Sequence, residues 1–259
     1  GCGYCKMCRE GKEQLCENYE AFGIGRPGGF AEFVKVPEEA IKRGHLVELP
    51  DEIDFESASL IEPLSCCFNG REAMNIKPGE NVLIFGAGSM GSLHLLLNQS
   101  LGASDVFMVD IDEKKLEYSK KIGADKIFLS ANVEEKINEI TNGKGIDNII
   151  TAAPSALVQE TALNIVAKTG TINFFAGIAG DNPTLEINPN RLHYEQIKIT
   201  GTTGSSLQQF RQTVNIAKNN NLDLHKVITD KISIDKLDNI FEKTEFLNKN
   251  LKILVDPEL

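Results

Sequence analysis

The chain has 259 residues, of which 41% are apolar, and a formal net charge of −10. That length accommodates one large or two ordinary domains with a sizeable core. The acidic balance argues against nucleic acid and against anionic membrane as partners. No apolar run approaches the ~20 residues needed to span a bilayer. The candidate Ser92 to Leu97 is short and contains His94.

Four of the six cysteines fall in the first sixteen residues, as Cys2-x2-Cys5-x2-Cys8-x7-Cys16. The surrounding loop is polar, so core packing does not explain them. Four thiolates can close a tetrahedral shell around one Zn²⁺ with no open position, the pattern of a structural site. A disulfide pair and an iron–sulfur cluster are the alternatives. Ferredoxin-type runs begin in the same way but place the fourth cysteine after three residues and follow it with proline. Here seven residues intervene and Glu17 follows, which favours zinc. Clustered thiols predict a reducing compartment, and with no secretory or transit segment the expected location is the cytoplasm. The chain opens Gly1-Cys2 rather than with methionine, and a missing N-terminal portion is expected.

Phe30–Val36 alternates apolar and polar residues between Gly28-Gly29 and Pro37, and predicts a half-buried strand. Asp54 is placed to cap a helix through Ser57–Met74 that Pro63 interrupts. Lys77-Pro78-Gly79 is a turn. From Asn81 onward strands and helices alternate. Strands are expected at Val82–Phe85, Val106–Val109, Lys126–Leu129, Ile146–Thr151, Thr171–Ala176 and Ile197–Thr200. Helices are expected at Met90–Leu101, from Asp112 through Lys121, and at Val133–Thr141. Six strands alternating with helices predict an α/β fold with a doubly wound parallel sheet. Helices near Leu207–Lys218 and Leu237–Thr244 and a strand Leu251–Val255 complete the chain. Between them the polar run Asn219–Asn221 reads as a loop.

Gly86-Ala87-Gly88-Ser89-Met90-Gly91 is a G-x-G-x-x-G directly after an apolar strand and opening a helix, the context that the motif requires. Gly86 would permit the tight turn, Gly88 would let backbone approach a pyrophosphate, and Gly91 would let helix pack close to strand. The helix N-terminus then offers free N–H groups to the phosphates. Asp110 ends the second strand, where an acid can accept hydrogen bonds from the adenosine ribose. A carboxylate there repels a 2′-phosphate, so NAD is favoured over NADP. A helix-capping role for Asp110 is the alternative, although Asp112 could cap equally well. FAD would require further binding segments that the sequence does not show.

Glu62 lies in Leu60-Ile61-Glu62-Pro63-Leu64, just ahead of this fold. It is either an acid at a helix N-terminus or a group at a catalytic metal. Cys66 and Cys67 read as small buried residues. His94 reads as packed inside an apolar helix, and His193 as a residue that could reach the cofactor or an interface.

Taken in order, the cysteine lobe, Gly-Gly-Phe-Ala-Glu-Phe, Glu-Pro-Leu, Gly-Ala-Gly-x-x-Gly and the strand-end Asp resemble the zinc-dependent medium-chain alcohol dehydrogenases. The sorbitol (L-iditol), threonine and polyol-phosphate dehydrogenase branch is the most similar. The resemblance implies a Rossmann-type NAD domain over residues 67–204. It implies a partial GroES-like, β-rich catalytic domain from 1–66, rejoined by 205–259. It places Cys2, Cys5, Cys8 and Cys16 on structural zinc and Glu62 at catalytic zinc, directly or through water. Gly177 and the backbone around Thr202 match positions near the nicotinamide, and Lys252 a basic position that can face the pyrophosphate. The implied activity is hydride transfer from a small secondary alcohol to NAD. Leu192–Gly201 is expected as an edge strand that could pair in a homo-oligomer. Family members supply a further zinc-binding Cys and a Gly-His-Glu segment ahead of the cysteine lobe, which this sequence does not contain. A non-catalytic zinc- and NAD-binding remnant is therefore the second expectation.

Overall fold

The computed structural model describes residues 1–180, 183–219 and 222–257. Within the polar run expected as a loop, Asn220 and Asn221 lie outside the described residues. The chain forms two compact units, one of Gly1–Glu62, Gly204–Asn219 and Asp223–Leu259, the other built mainly of Pro63–Thr203.

The first unit begins with the cysteine loop, which holds a single helical turn, α1 (Lys6–Arg9). Two further short helices follow, α2 (Glu38–Lys42) and α3 (Phe55–Ala58). Asp54 caps α3 by accepting the Ser57 N–H at 2.7 Å. The expected strand at Phe30–Val36 is absent: the segment is irregular. Phe30 and Phe33 stand 64% and 89% exposed. Alternation marks a strand only when one face is covered and a neighbour takes up the ladder bonds. Among the described residues no strand pairs with this segment.

The second unit opens in α4 (Ile61–Met74). Pro63 lies in its first turn, where a missing N–H costs nothing, so the helix break falls before the proline rather than at it. The sheet then assembles from β1 (Val82–Phe85), β2 (Val106–Asp110), β3 (Lys126–Leu129), β4 (Ile146–Thr151), β5 (Val166–Phe174) and β6 (Lys198–Gly201). Its order is β3-β2-β1-β4-β5-β6, and every pairing is parallel. Helices α5 (Ser89–Ser100), α6 (Glu113–Ile122), α7 (Val133–Thr141), α8 (Ala156–Ile165) and α9 (Pro189–Glu195) connect the strands.

All four residues of β1 are buried, as a central strand covered on both faces requires. Side chains alternate across the pleat. Leu83 and Phe85 therefore join Phe107, Val109, Val133 and Ile149 in one core, and Val82 and Ile84 join Leu95, Met108, Leu116 and Ile122 in the other. Strand order reverses between β1 and β4, which is where doubly wound sheets bind ligands, at the carboxyl ends of the strands.

The chain returns to the first unit in α10 (Leu207–Asn219), followed by β7 (Ile228–Ser233), α11 (Leu237–Phe241), α12 (Thr244–Lys249) and β8 (Lys252–Asp256). β7 and β8 form a parallel pair, the one sheet of this unit among the described residues. Beside it His225 sits between Asp54 and Glu56, with ring nitrogens 2.8 and 3.3 Å from their carboxylates. Its hydrogen bond to Asp54 holds its pKa above the ordinary histidine value.

One buried ion anchors the helical layer of the second unit. Arg71, 7% exposed, donates to Asn98 Oδ1 and, at 2.9 Å, to the Leu101 carbonyl at the end of α5. A cation at a helix C-terminus is favoured by the dipole and satisfies a carbonyl left without an intrahelical partner. Asn98 passes the link on by donating to the His94 carbonyl at 2.8 Å. Replacing Arg71 by Leu strands both acceptors, and urea unfolding should show a loss of about 3 kcal/mol. A loss under ~1 kcal/mol would mean that this buried ion holds nothing.

Candidate dinucleotide site and metal centre

The glycine turn joins β1 to α5, and its three glycines have different reasons to be glycine. Gly86 has φ +102°, and a Cβ there would lie 3.1 Å from the Ala152 backbone. A Cβ on Gly91 would meet the Gly86 carbonyl oxygen at 1.7 Å, an impossible contact that binds helix to turn. Around Gly88 nothing lies within 4 Å of a Cβ, so this position faces open space rather than protein. Gly88 also caps α5, leaving the first-turn amides of Ser89, Met90 and Gly91 without intrahelical acceptors. Open space against unpaired N–H groups at the positive end of a helix suits a pyrophosphate.

Asp110 closes the other side. Ala87 N donates to its Oδ2 at 2.6 Å and Asp112 N to its Oδ1 at 2.9 Å. Helix capping falls to Asp112, whose Oδ1 accepts Lys114 N at 2.8 Å and Lys115 N at 3.4 Å. Asp110 is therefore free of the capping role.

At the ends of β5 and β6, Thr202 Oγ1 donates to Asn173 Oδ1 at 3.1 Å. Thr151 Oγ1 donates to the Asn173 carbonyl at 3.3 Å. Gly177 lies exposed beyond β5 with open space about it. His94 is fully buried, edge-on to Phe175 with ring centroids 4.4 Å apart, and burial pushes its pKa down to about 3. It packs as a neutral ring. Cys67 is buried and Cys66 half-buried. His193 is exposed on α9 beside Tyr194.

The candidate metal centre belongs to the first unit. The Sγ atoms of Cys2, Cys5, Cys8 and Cys16 all lie within 4.8 Å of one another. Cys2 and Cys8 sulfurs are 3.9 Å apart, and Cys5 and Cys16 sulfurs 3.8 Å. A tetrahedron with Zn–S bonds of about 2.3 Å spaces its sulfurs about 3.8 Å apart. The residues fit one zinc ion, whereas an iron–sulfur cluster spreads its thiolates around several irons. Backbone N–H groups point at the sulfurs: Cys5 N to Cys2, Cys8 N to Cys5, Asn18 N to Cys16. The Tyr4 N–H draws the Cys2 thiol down to about 6, burial pushes Cys8 up to about 11, and the Cys2 N–H lowers Cys16. The Arg43 guanidinium donates to the Gly1 and Cys2 carbonyls and braces the loop from outside it. Sequence reasoning missed Arg43, since no local pattern ties it to the cysteines.

Glu62 is exposed in the first turn of α4. It lines a cleft of ≈ 400 Å³ in the first unit with Gln14, Phe22, Leu46, Leu207 and Phe210. Lys252 opens β8, and its carbonyl accepts from Thr229 Oγ1 at 3.2 Å. Among the described residues no helix is long and apolar enough to cross a membrane.

Residues 89–219 match the zinc-binding dehydrogenase family model, and residues 1–51 the alcohol dehydrogenase GroES-like domain. The chain is 32% identical to an L-threonine 3-dehydrogenase of Pyrococcus horikoshii, over 93% of this chain and 68% of that protein. It is 28% identical to D-xylulose reductase A of Aspergillus oryzae, over 98% and 70%. Among solved structures, 2R,3R-butanediol dehydrogenase of Bacillus subtilis superposes with a TM-score of 0.80 at 25% identity, over 93% and 68%. The chain belongs to the zinc-binding, medium-chain alcohol dehydrogenase family.

The glycines separate stability from binding. Gly91→Ala should destabilise the second unit by roughly 3 kcal/mol or more, because backbone must move. Gly88→Ala should leave the unfolding midpoint unchanged yet weaken NAD⁺ at least tenfold, since its methyl occupies the ligand's space. Equal losses of stability in the two variants would contradict this division.

Proposed function

We propose that the chain is the NAD-binding and structural-zinc part of a dehydrogenase that oxidises a small secondary alcohol. The substrate class is a sugar alcohol, a polyol phosphate or a threonine-like hydroxy acid. The observation that carries the reading is the strand–turn–helix with open space at Gly88 and a carboxylate, Asp110, at the end of the adjacent strand. The threonine dehydrogenase and xylulose reductase relatives support the substrate class.

In this reading the amides of Ser89, Met90 and Gly91 take the pyrophosphate charge. Asp110 accepts the adenosine ribose hydroxyls and repels a 2′-phosphate, which selects NAD. The Asn173–Thr202 hydrogen bond fixes the backbone assigned to the nicotinamide end, beside the open surface at Gly177. NAD supplies the hydride acceptor when bound. The four-cysteine zinc has no open position and holds the loop of residues 2–16 in shape. Of the edge strand expected at Leu192–Gly201, only β6 (Lys198–Gly201) is strand, because Leu192–Glu195 continue α9; β6 lies at the edge of the sheet, and we assign its open side to pairing with a second copy.

A second reading is that the chain binds zinc and NAD without turnover. One observation favours it: among the described residues, the four-cysteine set is the only group of three or more His, Cys, Asp or Glu drawn together as ligands. Glu62 stands outside that set. One carboxylate alone does not fit a catalytic zinc, which takes three protein ligands. Purified protein should contain about one zinc per chain and bind NAD⁺. It should then be offered sugar alcohols, their phosphates and threonine while NADH absorbance is followed. Turnover with any of them supports the first reading, and tight NAD⁺ binding without turnover supports the second.

A further inference from the structure

The contact between Asp110 and the glycine turn carries a role beyond recognition of a ribose. We propose that Asp110 is a positioning residue: its carboxylate holds the Ala87 amide, and with it the backbone that faces the pyrophosphate. The proposal deepens the dinucleotide reading and rests on it.

The geometry shows why such a holder is needed. β1 and β2 pair in parallel as far as Phe85 opposite Val109. The ladder continues one step into the turn, where Gly86 N donates to the Val109 carbonyl at 2.7 Å. The next amide, Ala87 N, instead meets a side chain, Asp110 Oδ2, at 2.6 Å. Ala87 is completely buried, so its N–H cannot turn to water. A buried backbone donor without an acceptor is costly, and a charged acceptor makes the strong form of this bond. The side-chain bond therefore holds the Ala87 peptide, and with it the backbone leading into Gly88.

The second oxygen ties in a third element. Asp112 N donates to Asp110 Oδ1, and Asp112 in turn caps α6. One carboxylate thus joins the β1–α5 turn, the end of β2 and the start of α6. An ionised carboxylate offers about four lone-pair sites, of which these two amides occupy two. The remainder stay available to ribose hydroxyls, so positioning and recognition coexist on one group.

Removing Asp110 to admit a 2′-phosphate also removes the acceptor of a buried amide. Asp110→Ser should therefore lose NAD⁺ without gaining NADP⁺, which a residue acting on the ribose alone would not do.

The test uses the apo protein and a probe without ribose. Amide hydrogen exchange by NMR should show Ala87 protected in the wild type. In Asp110→Ser it should exchange at least tenfold faster, with the Leu95 amide of α5 unchanged as a control of folding. Inorganic pyrophosphate should bind about tenfold more weakly to Asp110→Ser. Asp110→Asn keeps one acceptor oxygen, and should fall between the two on both readouts. It also carries the test if the serine variant does not fold. If Asp110 acted on the ribose alone, Ala87 exchange would not change. Pyrophosphate would then bind as well or better, because a negative charge has been removed. Either result overturns the proposal. A wild type that fails to bind NAD⁺ would overturn the dinucleotide reading instead, while faster Ala87 exchange in the variant would still support the turn contact.

Discussion

The fold of the second unit turns on the approach of Gly91 to the Gly86 carbonyl, so close that a single methyl would lie 1.7 Å from the oxygen. This contact fixes the angle at which α5 leaves β1. It places the helix N-terminus over the carboxyl end of the most buried strand, at the point where strand order reverses. Everything assigned to cofactor binding depends on that angle: the open space at Gly88, the unpaired first-turn amides, and the reach of Asp110 to Ala87. The requirement is steric, not chemical. A sheet buried on both faces can hold such a turn rigidly because its neighbours Val106–Val109 and Asn148–Thr151 are paired to β1 along its whole length.

The first unit solves a different problem by different means. Its opening loop has little apolar material to bury; apart from Cys16, residues 1–50 contain no buried side chain. Four sulfurs brought within 4.8 Å replace a core, and N–H groups aimed at them favour the charged form that a metal binds. Arg43 extends the hold to the α2 end of the segment through two carbonyls. A closed thiolate shell is suited to this structural task because it leaves no position for substrate.

Much of this was legible in the residues. β1, β3, β4 and α7 fall where the apolar runs and their flanking residues placed them. The cysteine spacing anticipated a single tetrahedral centre, and the motif context anticipated the turn. What escaped had physical causes. β5 begins at Val166, five residues before the expected start, because exposed Lys168 and Thr169 at φ +65° disguise its first half as a loop. β7 carries Thr229, Asp230 and Lys231 inside it and offers no apolar run to read. Phe30–Val36 erred the other way, with strand-like alternation but no covered face. Arg43 and the Ala87–Asp110 bond were beyond pattern reading. The former reaches back 41 and 42 residues, and the latter joins a backbone amide, which no sequence displays, to a side chain 23 residues on.

The central claim is that the Gly86–Gly91 turn and Asp110 form a dinucleotide site that selects against a 2′-phosphate. Calorimetric titration of the purified chain with NAD⁺ and with NADP⁺ tests it most directly. The account predicts that NAD⁺ binds at one site per chain and NADP⁺ at least tenfold more weakly. Equal affinity for the two, or no binding of either, would contradict it.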